Sequence, residues 1–533
     1  MPNDGSQMSP DGSGRASTNN SGQAATNGGP SQIDTDTFVE TPGEVWVAKT
    51  ALKPGAVGLT GAIMQNVTHI APAIAAFFFT ATIVTYAGGQ APLAYLFGFI
   101  IVLALGECLV QLAKKFPSAG GYYTYVSRTL GPRLGFLTGW MYVLYSPIVA
   151  GPAFAFLGLI FEGEFQANYH VTWFHWWMLV IVGLPLIALA GYYGITFSIR
   201  TIVIVGAMEF LIVLALGVWG LADPGHGGFA LQSFTYGFNP GNIATSTGFA
   251  LAIVFTVQGL TGWEAAVPLA EETENPRRNV PRATMASIVI IGLMLVVVIW
   301  GQVIGWGVNN LGKLITSPEL PALVIAHRVW GTLWWVALVA MFTSVFGASL
   351  ACQNVATRMW FGMGRSGVLP ATFGRVHPTR KTPTAAVTMQ FVLSAVLGLL
   401  GGWWLHADKL FILLLGYVLV IAVIFIYVAA NIGVVAYYWR EQRANFNWIL
   451  HFVFPVGTSA ILIYSLYKSF SPFPAHPFNT SPFIVGAWFL IGIAILVVLA
   501  ARGNEGWLAK AGAAISERPE TPEELQHRPA AWD

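Results

Sequence analysis

Three carboxylates and a histidine stand inside otherwise apolar runs: Glu107, Glu209, Glu264 and His69. An ionisable group in hydrocarbon is costly, so it turns to a cavity or a polar partner and often marks the path of an ion, a proton or a solute. His69 belongs to Gln65-Asn66-Val67-Thr68-His69-Ile70-Ala71-Pro72, and Glu264 ends Gly259-Leu260-Thr261-Gly262-Trp263-Glu264. A neutral imidazole offers one donor and one acceptor, and a carboxylate that gains and loses a proton can follow a proton gradient. The plainer reading of each is a hydrogen-bonded packing group. Both readings stay open for His69, Glu209 and Glu264, whereas Glu107, near one end of its run, is favoured as a structural group. Other chemistries lack their residues. There is no Gly-x-x-x-x-Gly-Lys-Ser/Thr loop for a nucleotide and no His-Glu-x-x-His pair for a metal. Cys108 and Cys352 both lie in apolar stretches, which argues against a disulfide or metal framework. No cofactor and no metal are expected.

The elements that must hold these groups follow from composition. The chain has 533 residues, 55% hydrophobic and only 9% charged. Soluble domains carry roughly a quarter charged residues, so a soluble globular protein is nearly excluded. A net charge of +2 is too small to point to nucleic acid. About 12 apolar segments are long enough to cross about 30 Å of hydrocarbon as helices. They lie near 56–86, 92–114, 133–160, 173–192, 198–221, 243–272, 283–306, 333–362, 384–404, 408–438, 447–468 and 482–501. Runs such as Ile288 to Ile299 are apolar on every side, which excludes the alternating pattern of a β-barrel. Residues 1–45 are polar and expected to be a disordered tail without a signal peptide, 46–502 form the membrane domain, and 503–533 form a second tail. An even helix count puts both tails on one side. Loops on that side hold most of the Lys and Arg, among them Lys114, Arg277, Arg278, Arg358 and Arg380, against Lys313, Arg328, Lys409 and Lys468 opposite. The asymmetry predicts cytoplasmic termini. Tryptophans at the span ends, including Trp173, Trp334, Trp403, Trp404, Trp439 and Trp448, read as an interfacial belt.

Two spans are internally awkward. Pro72 lacks an amide hydrogen and disfavours helix at Ala71, while Gly259 and Gly262 loosen the sixth span. Non-helical backbone at membrane depth survives only where protein or a water-filled cavity surrounds it. Breaks expected around 67–72 and 258–264 are five helices apart, which fits two inverted five-helix repeats, near 56–222 and 243–438, plus two helices at 447–501. A proline kink and glycine-mediated packing are the plainer alternative.

Three loops carry a resemblance. Phe116-Pro117-Ser118-Ala119-Gly120-Gly121-Tyr122-Tyr123-Thr124-Tyr125 is similar to the Pro-x-Ala-Gly-Gly-x-Tyr-x-Tyr signature of amino acid permeases. Glu271-Glu272-Thr273-Glu274-Asn275-Pro276-Arg277-Arg278 resembles their motif between spans six and seven, and Gly364-Arg365-Ser366-Gly367-Val368-Leu369-Pro370 the one after span eight. Read without the family, the first loop turns the chain after span two with its tyrosines at the interface, and the charges pair across loops or help to close a gate. The resemblance, to the amino acid–polyamine–organocation superfamily, implies a LeuT-type fold. It implies a substrate site between broken helices one and six, at Val67, Thr68, His69, Ile70, Ala71, Gly259, Leu260, Thr261, Gly262 and Trp263. In that arrangement, amides of the half-helix beginning near Ile70 would hold a substrate carboxylate, and carbonyls near Gly259 and Leu260 an amino group. Many members have Gly-Ser-Gly where this chain has Thr68-His69-Ile70-Ala71-Pro72.

Tyr145 and Trp263 are read as walls of a side-chain pocket or as helix packing. Thr343 and Ser344 are read as sodium ligands or as hydroxyls bonded back to their own helix. Glu107, Glu209 and Glu264 are the coupling or gating candidates. The function expected is a secondary transporter in the cell membrane for an amino acid or related amine, driven by a proton or sodium gradient or by exchange. A polyamine or organic-cation transporter is the alternative within the superfamily. A membrane enzyme would need converging acid–base or metal residues, and a channel would need filter-like or charged rings.

Overall fold

A computed structural model describes residues 38–41, 45–48, 52–145, 147–244 and 248–501. The chain divides into two units, 1–49 and 50–533. In the first, β1 (Phe38–Thr41) pairs antiparallel with β2 (Val45–Ala48), Phe38 opposite Ala48. Residues 38–41 and the first residue of β2, Val45, thus lie in strands inside the stretch expected to be a tail. Residues 1–37 and 42–44 and the tail at 503–533 lie outside the described residues.

The second unit is helical. Its first half holds α1 (Leu59–Ile70), α2 (Pro72–Ala87), α3 (Ala91–Ala113), α4 (Tyr122–Leu130), α5 (Pro132–Tyr145), α6 (Pro147–Tyr169), α7 (Trp176–Tyr192) and α8 (Ile195–Ala222). Then follow α9 (Gly248–Gly259), α10 (Pro276–Trp306), α11 (Leu311–Thr316), α12 (Pro321–Trp330) and α13 (Val336–Arg365). The last are α14 (Thr384–Leu405), α15 (Ala407–Arg440), α16 (Ile449–Ser469) and α17 (Phe478–Ala501). Among the described residues, nine helical segments are long and apolar enough to cross a membrane, and α7 and α9 are shorter apolar helices. The longest of the nine, Leu59–Ala113, contains both the broken first span and α3. This is a multi-span, all-helical membrane fold.

Why the helices start where they do is legible locally. Pro72, Pro92, Pro276 and Pro321 occupy first-turn positions, where the missing amide hydrogen costs nothing. Glycines bring α8 and α10 together: a Cβ at Gly301 would stand 2.7 Å from Gly217 Cα, and one at Gly305 2.9 Å from Gly220 Cα. With lipid as apolar as the helices, such backbone approach supplies the packing energy. Around them, α1 packs against α8, α10 and α13, and α2 against α9.

Three expectations are corrected. Tyr122, Tyr123 and Tyr125 are buried, not interfacial, because α4 folds back against α5 and α15. Arg358 is no loop cation: it lies buried in α13. Trp334 is buried against the His327 ring, stacked at 4.2 Å, whereas Trp173, Trp403 and Trp404 are well exposed, as a belt requires.

Candidate functional site

Helix one breaks at a single residue. Ala71 adopts φ 57, ψ 66, a left-handed conformation that costs a non-glycine residue of order 1–3 kcal/mol. Pro72 then opens α2. The break is narrower than the expected 67–72: Val67, Thr68, His69 and Ile70 form the last turn of α1, with Thr68 bonded back to Met64 O at 2.8 Å. Helix six ends at Gly259, passes through turns over 260–266 and resumes as a short 3-10 helix at Val267–Glu272. Gly262 takes φ +118, and a Cβ there would stand 2.7 Å from His69 Nδ1.

The two breaks touch. His69 Nδ1 lies 3.1 Å from Gly262 O, so this nitrogen carries the hydrogen and donates, leaving Nε2 buried and without a partner. Asn66, one turn earlier, accepts the Ala266 amide at 2.6 Å and donates to Ser287 Oγ at 3.1 Å. Gln65 donates to Ala351 O at 3.0 Å and accepts from Asn354 at 3.2 Å. These two amides fasten α1 to α10, α13 and the sixth-span break. The sequence marked them only as a polar patch.

Around His69 the structure gathers some of the expected residues. Tyr145 meets its ring edge-on at 5.9 Å. Trp263 is buried and tilts against Tyr427 at 5.4 Å. On that side an apolar cavity is bounded by Val254, Gln258, Thr261, Trp263, Val423 and Tyr427. His69 and Glu209 are not among its walls. Glu264 is fully buried, and neither of its oxygens has a hydrogen-bond partner. The Tyr427 hydroxyl and the Gly262 backbone are its nearest polar neighbours, and Tyr122, Tyr142 and Tyr145 lie close enough to feel its charge. Tyr427 carried no signal in the sequence, since one tyrosine in an apolar helix is common.

Glu209 reaches the other end of the break. Its Oε1 accepts the Ala73 amide at 2.8 Å, its Oε2 is buried without a partner, and Ser344 lies beside it. Ser344 Oγ receives the Ile74 amide at 3.4 Å, while Thr343 donates to its own helix, to Val339 O and Ala340 O at 3.0 Å. Glu107 goes elsewhere: it is half-buried and takes a hydrogen bond from Gln111, which in turn accepts from the Tyr438 hydroxyl.

The three motif loops converge on one ionic cluster. Glu272 and Arg358 form a fully buried pair, Nε to Oε2 at 2.8 Å and Nη2 to Oε1 at 3.2 Å. Glu271 accepts two hydrogen bonds from Arg365, at 2.6 and 3.0 Å, and a third from the Ala119 amide at 3.1 Å. Tyr123 adds a hydroxyl contact to Ser366 at 3.2 Å. The chain just before α1 is tied in as well, Val57 exchanging backbone hydrogen bonds with Glu272 and Glu274 at 2.9 Å.

Residues 61–510 match the amino acid permease family. The chain belongs to the amino acid permease family. The permease is 26% identical over 376 residues to the low-affinity putrescine importer PlaP of Escherichia coli strain K12, covering 68% of this chain and 77% of that one. It is 24% identical over 364 residues to the serine/threonine exchanger SteT of Bacillus subtilis strain 168, covering 64% and 77%. To the glutamate/serine transporter AimA of the same strain it is 23% identical over 346 residues, covering 60% and 62%. The permease is therefore a multi-pass membrane transporter of this family.

Proposed function

We propose that this permease moves an amino acid or a related amine across the cell membrane by alternating access, with a substrate site at the meeting of the two helix breaks and no catalytic step of its own. The observation that carries the reading is the contact between His69 Nδ1 and Gly262 O, beside two buried carboxylates with unclaimed oxygens. Irregular backbone is tolerated at depth where it borders a site, and broken helix pairs are how many secondary transporters build one. Val67, Thr68, Ile70 and Ala71 on one side and Gly259, Leu260, Thr261 and Trp263 on the other would frame the solute. Tyr145 and Trp263 would shape its pocket.

Coupling is proposed to run through protons at Glu209 or Glu264, since a carboxylate enclosed by apolar helices without a cationic partner can exchange a proton as access alternates. Sodium held by Thr343, Ser344 and first-span carbonyls is the alternative ion. The cluster of Glu271, Glu272, Arg358 and Arg365 would close one end of the path, with both termini in the cytoplasm. Purified protein in liposomes, given labelled amino acids and amines under an imposed proton or sodium gradient, tests the proposal. Uptake that follows one gradient identifies the ion; no uptake under either gradient, and no exchange, would overturn it.

A further inference from the structure

The turn between α7 and α8 and the loop before α14 meet in one cationic patch. Arg380 lies in that loop, and its guanidinium stands over the rings of Tyr192 and Tyr193, at 4.3 and 4.9 Å. The loop is fixed locally: the His377 amide donates to Thr382 O at 2.8 Å, and the Lys381 amide returns to His377 O at 2.9 Å. Gly194, at φ +104, lets the α7–α8 turn pass close by, since a Cβ there would stand 3.2 Å from Arg380 O. Two residues on, Thr196 accepts a hydrogen bond from Lys53 Nζ at 3.3 Å, and Arg200 follows one turn later on the same face of α8.

The protein does not neutralise this patch. Segments 50–58, 192–200 and 366–383 hold five Lys or Arg and no Asp or Glu, so negative charge has to come from elsewhere. Glu271 and Glu272 are held by Arg365 and Arg358, and Glu274 lies against Gly55 and Gly58. Among the described residues, no carboxylate pairs with Lys53, Arg200 or Arg380. Arg380 Nη1 is enclosed and has no acceptor, while the residue as a whole stays partly exposed. An enclosed donor without an acceptor is rare, and one in cationic surroundings selects an anion. Stacked on tyrosine, a guanidinium keeps its edge for hydrogen bonding, and it can grip phosphate through two N–H groups at once.

The patch also borders lipid. Leu189, Tyr193 and Phe197 are exposed where α7 ends and α8 begins. Ile204 and Leu211, also exposed, carry the Phe197 face of α8 about two and four turns further. A free phosphate would use the cations alone, whereas a phosphate that carries acyl chains also covers this apolar face. A zwitterionic head group would bring no net charge to the cations, so an anionic one is favoured.

We propose that this patch binds an anionic phospholipid of the adjoining leaflet, its phosphate held by Arg380 with Lys53 and Arg200 beside it, and its acyl chains laid along Phe197, Ile204 and Leu211. The site is separate from the two helix breaks, and it does not depend on which solute is carried.

The full chain in detergent is titrated with dioleoylphosphatidylglycerol, dioleoylphosphatidylcholine or sodium phosphate. Native mass spectrometry counts bound lipid, and the melting temperature is followed in parallel. The expected result is one phosphatidylglycerol bound at least ten-fold tighter than phosphatidylcholine and not displaced by millimolar phosphate. Arg380→Gln is expected to weaken it about ten-fold, the loss of one charge-assisted bidentate contact. Lys53→Gln combined with Arg200→Gln changes exposed side chains only and should weaken it at least three-fold, which keeps the test open if Arg380→Gln does not fold. Arg443, stacked on Trp439 at 4.9 Å at another span end, is the control, and Arg443→Gln should leave the affinity unchanged. Equal binding of the two lipids would overturn the proposal, and displacement by inorganic phosphate would make this a free-phosphate site instead. Unchanged affinity in the Arg380 variant and the double variant, or an equal loss in Arg443→Gln, would overturn the location. None of these outcomes bears on transport, which the liposome assay above decides.

Discussion

His69 and Gly262 meet directly where the two breaks touch, beside the Asn66–Ala266 hydrogen bond, and each can be tested alone. Gly262 has φ +118 and no room for a Cβ beside the imidazole. Gly262→Ala is expected to force the two breaks apart, storing of order 1–3 kcal/mol of strain, and to abolish uptake while membrane insertion and yield persist. Uptake at the parental rate would show that the breaks need not touch. His69→Ala removes one buried hydrogen bond to the Gly262 carbonyl. Its loss should cost about 1 kcal/mol, or roughly five-fold in solute affinity. The readout is the concentration for half-maximal thermal stabilisation by the transported solute, and an unchanged value would return His69 to a packing role.

The loop between spans six and seven is held to α13 by a buried ion pair as well as by apolar packing. Arg358 and Glu272 are both fully buried and satisfy one another with two hydrogen bonds. Deleting one partner leaves the other charge stranded, at a cost of roughly 3–5 kcal/mol. Glu272→Ala and Arg358→Ala are therefore each expected to lower the melting temperature of the detergent-solubilised protein strongly. The paired apolar replacement, Glu272→Leu with Arg358→Met, should recover most of that loss, because a buried ion pair is worth little more than well-packed apolar groups of its size. Equal destabilisation in the single and paired variants would contradict this account. The Glu271–Arg365 pair is more exposed and should matter less to stability.

For the molecule as a whole, orientation is the property most directly open to measurement. The asymmetry of Lys and Arg between the two sets of loops predicts that Arg278 faces the cytoplasm and Lys313 the outside. Both native cysteines, Cys108 and Cys352, are buried, so their background labelling by a membrane-impermeant maleimide should be low. In sealed right-side-out vesicles, Lys313→Cys should label and Arg278→Cys should not until the membrane is opened. The opposite pattern would invert the topology and place the ionic cluster at the outer end of the path.

Periodic and local features of this chain were readable from the sequence because their physical causes are local. An apolar run must span the hydrocarbon as a helix whatever surrounds it, so most spans could be placed to within a few residues. The third span runs on to Tyr169 and the seventh begins at Pro276, where polar residues extend the helix beyond the apolar run. Pro72 cannot donate an amide, so a discontinuity at Ala71 was foreseeable, and the paired glycines loosen helix six by a different route, their freedom of backbone conformation. What the tertiary structure alone decided are pairings between residues far apart in the chain. Glu209 lies 136 residues from the Ala73 amide that it accepts. Arg358 is 86 residues from Glu272, and Tyr427 closes on Trp263 from another helix. No composition or period records such partners, because a buried polar atom is satisfied by whatever the packing brings within hydrogen-bond distance. For the same reason the tyrosines after Gly121 read as interfacial until α4 turned them into the core, and the free first turn expected of α2 proved to be filled by the protein's own carboxylate.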